Sequence, residues 1–226
     1  DVIGKVEVLR AGQWEPLGAG GAVAVKEKVR TGKPGRVRVV FPESVLVLGD
    51  ETQVEVKEYP SLQGASKPQA AFALSKGKLR ALVSKWFSQS GGSYEVETAT
   101  AVVGVRGTEF AAVYDPVADV TQVVGVAQTT RVYAAIDRGR KRGVELLERD
   151  LTVVERGKYP TAPRKLEEMM FRQYLEGLEF LGPGASQAST HALATGGAVP
   201  PADGSEALTG PGVPGVRVQT LLRPLH

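Results

Sequence analysis

Few side chains in this sequence are of the types that carry out catalysis. The chain of 226 residues has no cysteine, and its two histidines, His191 and His226, lie in a C-terminal stretch rich in glycine and proline. The body of the sequence therefore lacks the material for a Cys-His pair, a Ser-His-Asp triad or a histidine-based metal centre. A glycosidase-like carboxylate pair is not signalled by any acidic cluster. We expect a protein that is not an enzyme and that holds no cofactor or metal.

A basic segment is the best candidate for contact with a ligand or partner. Its charged residues are Arg138, Arg140, Lys141 and Arg142, set between glycines. Such a loop could meet an anionic glycan, a lipid headgroup or an acidic protein. We favour an ordinary solvated loop that shields a sheet edge, because charged loops are common there. No aromatic residue alternates with these charges and the net charge is only +3, so no nucleic acid partner is expected.

The elements that must position these residues are strands. Aromatic residues are only 6% of the chain, so we expect an aliphatic core, and valine, which is abundant, favours strands. Residues 36–39 alternate arginine and valine, the period of two that is typical of a half-buried strand. Short strands between turn residues recur as far as residue 160. They predict an all-β domain over residues 1–160, built as a sandwich or as a short solenoid-like stack.

Several local features of this domain follow from the same pattern. A single strand is predicted over residues 22–29, and Gly49-Asp50-Glu51 is predicted to connect a hairpin. Separate strands are predicted over residues 72–74 and 78–83.

The pattern changes after residue 160. Apolar residues three and four apart predict one amphipathic helix over residues 161–182, with Thr161 and Pro163 at its start and Gly182 at its end. We favour a helix that packs on its own domain, because most amphipathic helices bury their apolar stripe within the chain. Docking on a partner is the alternative.

Residues 183–226 are predicted to form an extended tail rich in glycine and proline. Near its end, a strand-like segment places four residues on one side: Val216, Val218, Thr220 and Leu222. A strand on a long tether can add to an exposed sheet edge. We expect this segment to anchor the tail on another subunit or protein, although the chain's own domain is also within reach.

One motif, with the segments around it, resembles a known family. The motif is Gly104-Val105-Arg106-Gly107-Thr108-Glu109-Phe110, preceded by Val96-Glu97-Thr98-Ala99-Thr100-Ala101. Upstream segments at residues 29–32, 39–42 and 45–49 follow in matching order and spacing. Together, over roughly residues 2–155, they resemble the FecR domain family. Glycines of the family pattern are missing near residues 43 and 149, without the loss of a strand.

The resemblance implies an all-β, extracytoplasmic domain without known catalytic activity. The best-studied members of the family lie in the periplasm and relay a signal from an outer-membrane receptor to a sigma factor, through a membrane helix and a cytoplasmic anti-sigma segment. No run of about 18 apolar residues occurs in this sequence, so no membrane span is expected here. Because the chain begins at Asp1, we also expect that a signal peptide has been removed.

The first functional expectation is therefore a protein-binding scaffold in a periplasmic or outer-membrane-associated assembly. Its partners would be other envelope proteins or copies of itself, held through the helix and the tail. One alternative is a signalling regulator of the FecR anti-sigma type that acts through a separate membrane partner. Another is a carbohydrate- or peptidoglycan-binding module, for which Trp14, Trp86 and Tyr94 would have to lie along one exposed face.

The motif residues are expected to serve the fold. Arg106, between two glycines, could offer up to five hydrogen-bond donors, and we expect it to join strands, through Glu109 or Asp115, rather than to bind a ligand. The same structural role is expected for the other residues of the pattern: Thr98, Gly104, Gly107, Thr108 and Phe110.

Overall fold

The computed structural model describes residues 1–61, 66–105, 107–179 and 216–217. The chain is mostly strand, as the alternating pattern predicts. The strands of the first half of the chain are β1 (Val2–Arg10), β2 (Gln13–Pro16), β3 (Ala22–Val23), β4 (Lys28–Phe41), β5 (Ser44–Leu48), β6 (Gln53–Glu58) and β7 (Gln69–Val83). Those that follow are β8 (Ser93–Glu97), β9 (Ala101–Val105), β10 (Glu109–Asp115), β11 (Val120–Ala127), β12 (Thr130–Ala134), β13 (Val144–Leu146), β14 (Asp150–Glu155), β15 (Arg164–Lys165) and β16 (Val216–Arg217). The helices are α1 (Trp86–Gln89) and α2 (Glu168–Leu175).

Long strands divide the main sheet into two halves. The first part of β7, residues 69–76, pairs with β6 and β8, whereas its second part, residues 77–83, pairs with β5 and β10. Strand β4 likewise pairs with β6 near its start and with β5 near its end. The first half of the sheet continues through β9 and β12 to β13, and the second continues through β11 and β14 to β15.

Side chains from both halves meet in one core. Phe72 and Tyr94 of the first half and Phe110 and Leu46 of the second are buried in the same apolar cluster. Most of the other members are valine, leucine and alanine, in line with the aliphatic core expected from composition. The all-β fold with sandwich-like halves and a short C-terminal helix is confirmed.

Three local predictions are wrong. The strand predicted over residues 22–29 is two strands, β3 and the start of β4, because Ala24–Glu27 closes a turn with a backbone hydrogen bond of 3.2 Å. The segments at 72–74 and 78–83 are one strand, β7. Residues 49–51 do not connect a hairpin, because β5 and β6 pair with β4 and β7 and not with each other.

The C-terminal helix is shorter than the predicted 161–182. Residues 164–165 form β15 beside β14, and Leu166 is buried against Val124 and Leu151, so this part of the chain is extended. The helix ends at Leu175, before Gly177 with its φ of +74°. The additional helix α1, a single turn, was not predicted. The helix α2 packs on its own domain, because Phe171 and Tyr174 contact the Val124 cluster.

The tail is described only at Val216–Arg217, which pairs antiparallel with Ala22–Val23 of the same chain. The other predicted anchor residues, Val218, Thr220 and Leu222, lie outside the described residues.

Candidate functional site

An open groove of about 550 Å³ lies on the outward face of the first half of the sheet. Its floor and walls come from β8, β9, β12 and β13 and from the loop over residues 135–143. We call this feature the β8–β13 groove. Along each strand, every second residue points away from the core, and the outward residues of β8, β12 and β13 in the groove are polar.

One row of residues crosses the four strands at the groove. The strand registers place Glu95 beside Gly104, Gly104 beside Arg131, and Arg131 beside Glu145. Gly104 is the one member of this row without a side chain, and a Cβ built there would have no atom within 4 Å. The groove is therefore open at Gly104 because a side chain is missing between two charged neighbours.

On one side of this gap, Arg140 closes over Glu95. Its two terminal nitrogens donate to the two carboxylate oxygens of Glu95, with Nη2 at 2.6 Å from Oε2. Only 14% of the Glu95 side chain is exposed. The hydrogen bonds to Glu95 raise the pKa of Arg140 above its usual value, despite partial burial. This paired, two-pronged contact fixes the basic loop over the sheet.

On the other side of the gap, Arg131 pairs with Glu145 along the row. Arg131 Nη2 lies 2.5 Å from Glu145 Oε1, and the hydrogen bond from Arg131 to that carboxylate raises the arginine pKa. The two side chains are 52% and 55% exposed. An ion pair this open to water contributes little to stability and can be exchanged for another partner.

The basic loop continues the groove beyond Arg140. A second hollow of about 280 Å³ adjoins it and is lined by Lys141, Gly143 and Val144 together with residues of the first. The guanidinium of Arg142 lies 5.1 Å from the centre of the Tyr159 ring. Within the described residues, neither Arg138 nor Lys141 forms an ion pair. Of the predicted interaction loop, Arg140 thus forms an ion pair with the sheet, and the other cations are exposed to solvent.

The motif residues lie beside this groove or in the core. Thr98 Oγ1 accepts from the Ala101 amide at 2.9 Å and contacts Thr121 Oγ1 at 2.6 Å, and Thr108 is buried next to Thr130. Phe110 is a core residue.

The remaining motif residues are Gly107 and Arg106. Gly107 has a φ of +80°, and a Cβ there would lie 2.6 Å from Lys85 Cα, so only glycine fits. Arg106 lies outside the described residues. One of its expected partners, Glu109, forms an ion pair with Arg80 at 2.5 Å.

The aromatic residues considered for carbohydrate binding do not form one face. Tyr94 is wholly buried in the core, and Trp86 packs against the core from α1. Trp14 lies on β2, with the Arg30 guanidinium 4.0 Å from its ring centre. The described residues hold no cluster of three His, Cys, Asp or Glu that is arranged to bind a metal. No helix among them has the length and apolar character needed to cross a membrane.

The sequence reasoning missed the residues that complete the groove. Glu95, Arg131, Tyr133 and Glu145 were not singled out, although each occupies an outward position of an alternating strand. The available signal was the Arg-Val-Tyr alternation at residues 131–133, which places two large polar side chains on one face.

The chain is similar to known proteins in sequence and in fold. Residues 27–130 match the model of the FecR protein family, which supports a FecR-like domain in this part of the chain. Two solved structures of a candidate anti-sigma factor from Parabacteroides distasonis ATCC 8503, at 2.50 Å and 1.65 Å resolution, share the fold. Each is 16% identical with a TM-score of 0.51. The matches cover 71% and 75% of this chain and 70% and 74% of the other. No curated protein matches the chain.

Proposed function

We propose that this chain is a regulatory domain of the FecR type, which binds a protein outside the cytoplasm and passes the resulting signal on through a membrane partner. The observation that carries the proposal is the FecR match over residues 27–130. The fold shared with a candidate anti-sigma factor points in the same direction. A periplasmic location follows from the same family and is part of the proposal.

The β8–β13 groove is the surface that we assign to the protein partner. Strands β8 and β9 lie within the matched residues, and β12 begins at Thr130, where the match ends. The floor of the groove is open at Gly104, and the Arg131–Glu145 ion pair beside it is exposed and can exchange partners. Both features suit recognition of another protein better than catalysis. Among the described residues that line it, no nucleophile is hydrogen-bonded to a base.

The scaffold interpretation, which was the first expectation from sequence, has less support. It depended on a helix and a tail that reach neighbouring molecules. The helix α2 packs on its own domain through Phe171 and Tyr174, and Val216–Arg217 pairs with β3 of the same chain. These contacts occupy α2 and the described part of the tail, which the scaffold interpretation assigned to other molecules.

Photo-crosslinking combined with transcript profiling in the native cell tests the proposal. A photoreactive residue replaces Tyr133 in the groove, and a matched control replaces Val117, which is 94% exposed on the β10–β11 turn. We expect position 133, but not position 117, to crosslink to one defined protein. We also expect deletion of the gene to change the transcription of a limited set of genes.

Unchanged transcription after deletion, under conditions in which the crosslinked complex forms, would refute the regulatory role. Equal crosslinking from both positions would refute the assignment of the groove.

A further inference from the structure

Three loops that contact one another lie at one end of the β-domain. They are residues 116–119 between β10 and β11, residues 135–143 between β12 and β13, and residues 156–163 between β14 and β15. The Arg156 amide donates to the Asp119 carbonyl at 3.2 Å, so the third loop contacts the first. The Arg142 guanidinium lies 5.1 Å from the centre of the Tyr159 ring, so the second loop contacts the third. We call these three segments the end loops.

Each end loop exposes one large apolar or aromatic side chain. Val117 is almost wholly exposed, Ile136 is 53% exposed and Tyr159 is 43% exposed. Single exposed apolar side chains are ordinary at a protein surface. These three, however, belong to loops that contact one another. This end of the domain therefore presents several apolar side chains to solvent from neighbouring loops.

The second end loop adds cations that no carboxylate side chain pairs with. Among the described residues, Arg138, Lys141 and Arg142 are exposed and form no ion pair. Arg140 of the same loop differs, because it is paired with Glu95 in the groove. The excess positive charge therefore lies on the outside of this loop and not on the floor of the groove.

The carboxylates at this end of the domain stay close to the backbone or are paired. Asp137 Oδ2 accepts a hydrogen bond from the Arg142 amide at 2.7 Å, and Asp115 Oδ1 accepts one from the Val117 amide at 2.8 Å. Two ion pairs account for the other charges: Arg156 with Asp119, and Lys158 with Glu155. Arginine and lysine carry their charge at the end of a long stem, so the cations of the second loop reach farther into solvent than Asp115 and Asp137 do.

We propose that the end loops bind the surface of an anionic lipid bilayer. The exposed apolar side chains enter the boundary between headgroups and acyl chains, and the cations of residues 138–142 stay with the lipid phosphates. An anionic glycan or an acidic protein would pair with the cations but would gain little from Val117 and Ile136, so the combination favours lipid. This inference goes beyond the proposed function, since it concerns a surface outside the floor of the groove and does not depend on the protein partner.

Sedimentation of the full chain with lipid vesicles tests the inference. Vesicles of phosphatidylcholine alone are compared with vesicles that also contain the anionic lipid phosphatidylglycerol, each at low and at high salt. We expect binding to the anionic vesicles only, because the cations need the negative surface potential of that lipid. Binding should weaken at high salt, because salt screens the attraction.

Two double variants of equal net charge locate the contact. Arg138→Glu with Lys141→Glu, and the control Lys26→Glu with Lys85→Glu, each lower the formal net charge from +3 to −1. Lys26 and Lys85 are exposed and lie outside the end loops. The loop variant should bind anionic vesicles about twentyfold or more weakly, because each basic residue at the surface strengthens binding about fivefold, whereas the control should lose less than about threefold. Both should keep the melting temperature of the unmodified chain, because the replaced side chains are exposed.

A tryptophan reports whether the apolar side chains enter the lipid. Val117→Trp is mixed with anionic vesicles that carry brominated acyl chains, which quench tryptophan fluorescence on contact. Met169→Trp is the matched control, because Met169 is also exposed and follows Glu168, which pairs with Arg149 beside the opposite end of β14. We expect additional quenching for Val117→Trp only. Ile136→Ser should weaken binding to the anionic vesicles by about three- to tenfold, because it removes apolar burial.

The outcomes separate this inference from the proposed function. Equal loss of binding in the two double variants would mean that net charge alone attracts the chain, and absence of quenching in Val117→Trp would refute the entry of the loops into lipid. Heparin that displaces the chain from the vesicles, with no effect of Ile136→Ser on its own binding, would assign the loop to an anionic glycan and overturn the lipid site. If the vesicles fail to bind while position 133 still crosslinks to a protein in cells, the lipid inference is wrong and the regulatory proposal stands.

Discussion

Replacement of Leu178 by alanine tests how the segment after the β-domain is held. Leu178 is wholly buried in a small cluster with Val47 and Ala111, outside the main core. The helix α2 that precedes it has eight residues, and isolated helices of that length are not stable in water. The segment from residue 166 to 179 therefore depends on its docking contacts.

The expected loss of stability in Leu178→Ala follows from those contacts. A fully buried Leu→Ala change costs about 2–5 kcal/mol, and the lower end applies here because the cluster lies near the surface and can partly collapse. Close to Leu178, Leu175 adds a partly buried apolar contact to the same cluster, and the polar contacts there are exposed, such as the pair of Arg36 with Glu179 at 3.3 Å. Exposed pairs of this kind contribute at most about 1 kcal/mol each. We expect Leu178→Ala to release the segment locally while the β-domain stays folded.

Hydrogen exchange measures this release directly. Amides of residues 168–178 should exchange much faster in Leu178→Ala, whereas those of β10 should keep their protection. Met169→Ala is the control, because Met169 is 79% exposed on the same helix and should change stability by less than about 0.5 kcal/mol. Equal exchange of residues 168–178 in the two variants would show that Leu166, Phe171 and Tyr174 hold the segment on the domain without Leu178.

Three further predictions concern the fold. The Tyr94 hydroxyl is buried near Ser44 without a hydrogen bond of good geometry among the described residues, and burial raises its pKa well above the usual value; Tyr94→Phe should therefore raise the free energy of unfolding by up to about 1 kcal/mol, and a clear loss of stability would show that the hydroxyl is bonded to Ser44 or to another partner. The hydrogen bond from Arg156 holds the pKa of Asp119 below its ordinary value, so its stabilisation, present at neutral pH, should be lost as the pH falls through the lowered pKa, and Asp119→Asn should remove this part of the pH dependence. Deletion of residues 183–226 should leave a folded monomer by circular dichroism and sedimentation; an unfolded product would show that the pairing of Val216–Arg217 with β3 is essential.

The strands could be predicted from sequence, but their continuity could not. Alternation identified the parts of β7 on either side of Gly77 and predicted them as separate strands over residues 72–74 and 78–83. Gly77 has a φ of +88°, and a Cβ there would clash with Thr52, so only glycine fits and the strand continues through it into the second half of the sheet. The contact between Gly77 and Thr52 is a tertiary contact, so the local sequence pattern could not reveal that the strand is continuous.

The start of the helix was predicted wrongly for a similar reason. Thr161 and Pro163 are suited to a helix start, but Thr161 takes part in side-chain and backbone hydrogen bonds with β14. The Thr152 hydroxyl donates to the Thr161 carbonyl at 2.7 Å, and the Val153 amide donates to the Thr161 hydroxyl at 3.0 Å. These bonds hold the chain extended until Leu166 is buried, and the helix begins only after that.

The groove was harder to predict than either element. The basic loop could be recognised by composition, yet the residue that neutralises Arg140 is Glu95, far away in the sequence on another strand. Only the registers of β8, β9, β12 and β13 bring Glu95, Gly104, Arg131 and Glu145 into one row. Gly104 was recognised as a motif residue, and its open surroundings became visible only with its neighbours in place.

The groove and the docked segment occupy outward faces of different halves of the sheet. Leu178 rests on Val47 and Ala111 of the second half, whereas Gly104 and Arg131 belong to the first. The two sites share no contact residue, so the effects of Leu178→Ala and Gly104→Val on the free energy of unfolding should add. A partner in the groove would then leave α2 in place, and Leu178→Ala should crosslink from position 133 like the unmodified chain. Weaker crosslinking by that variant would instead show that the halves are coupled, and β7, the strand that they share, would be the element that transmits the coupling.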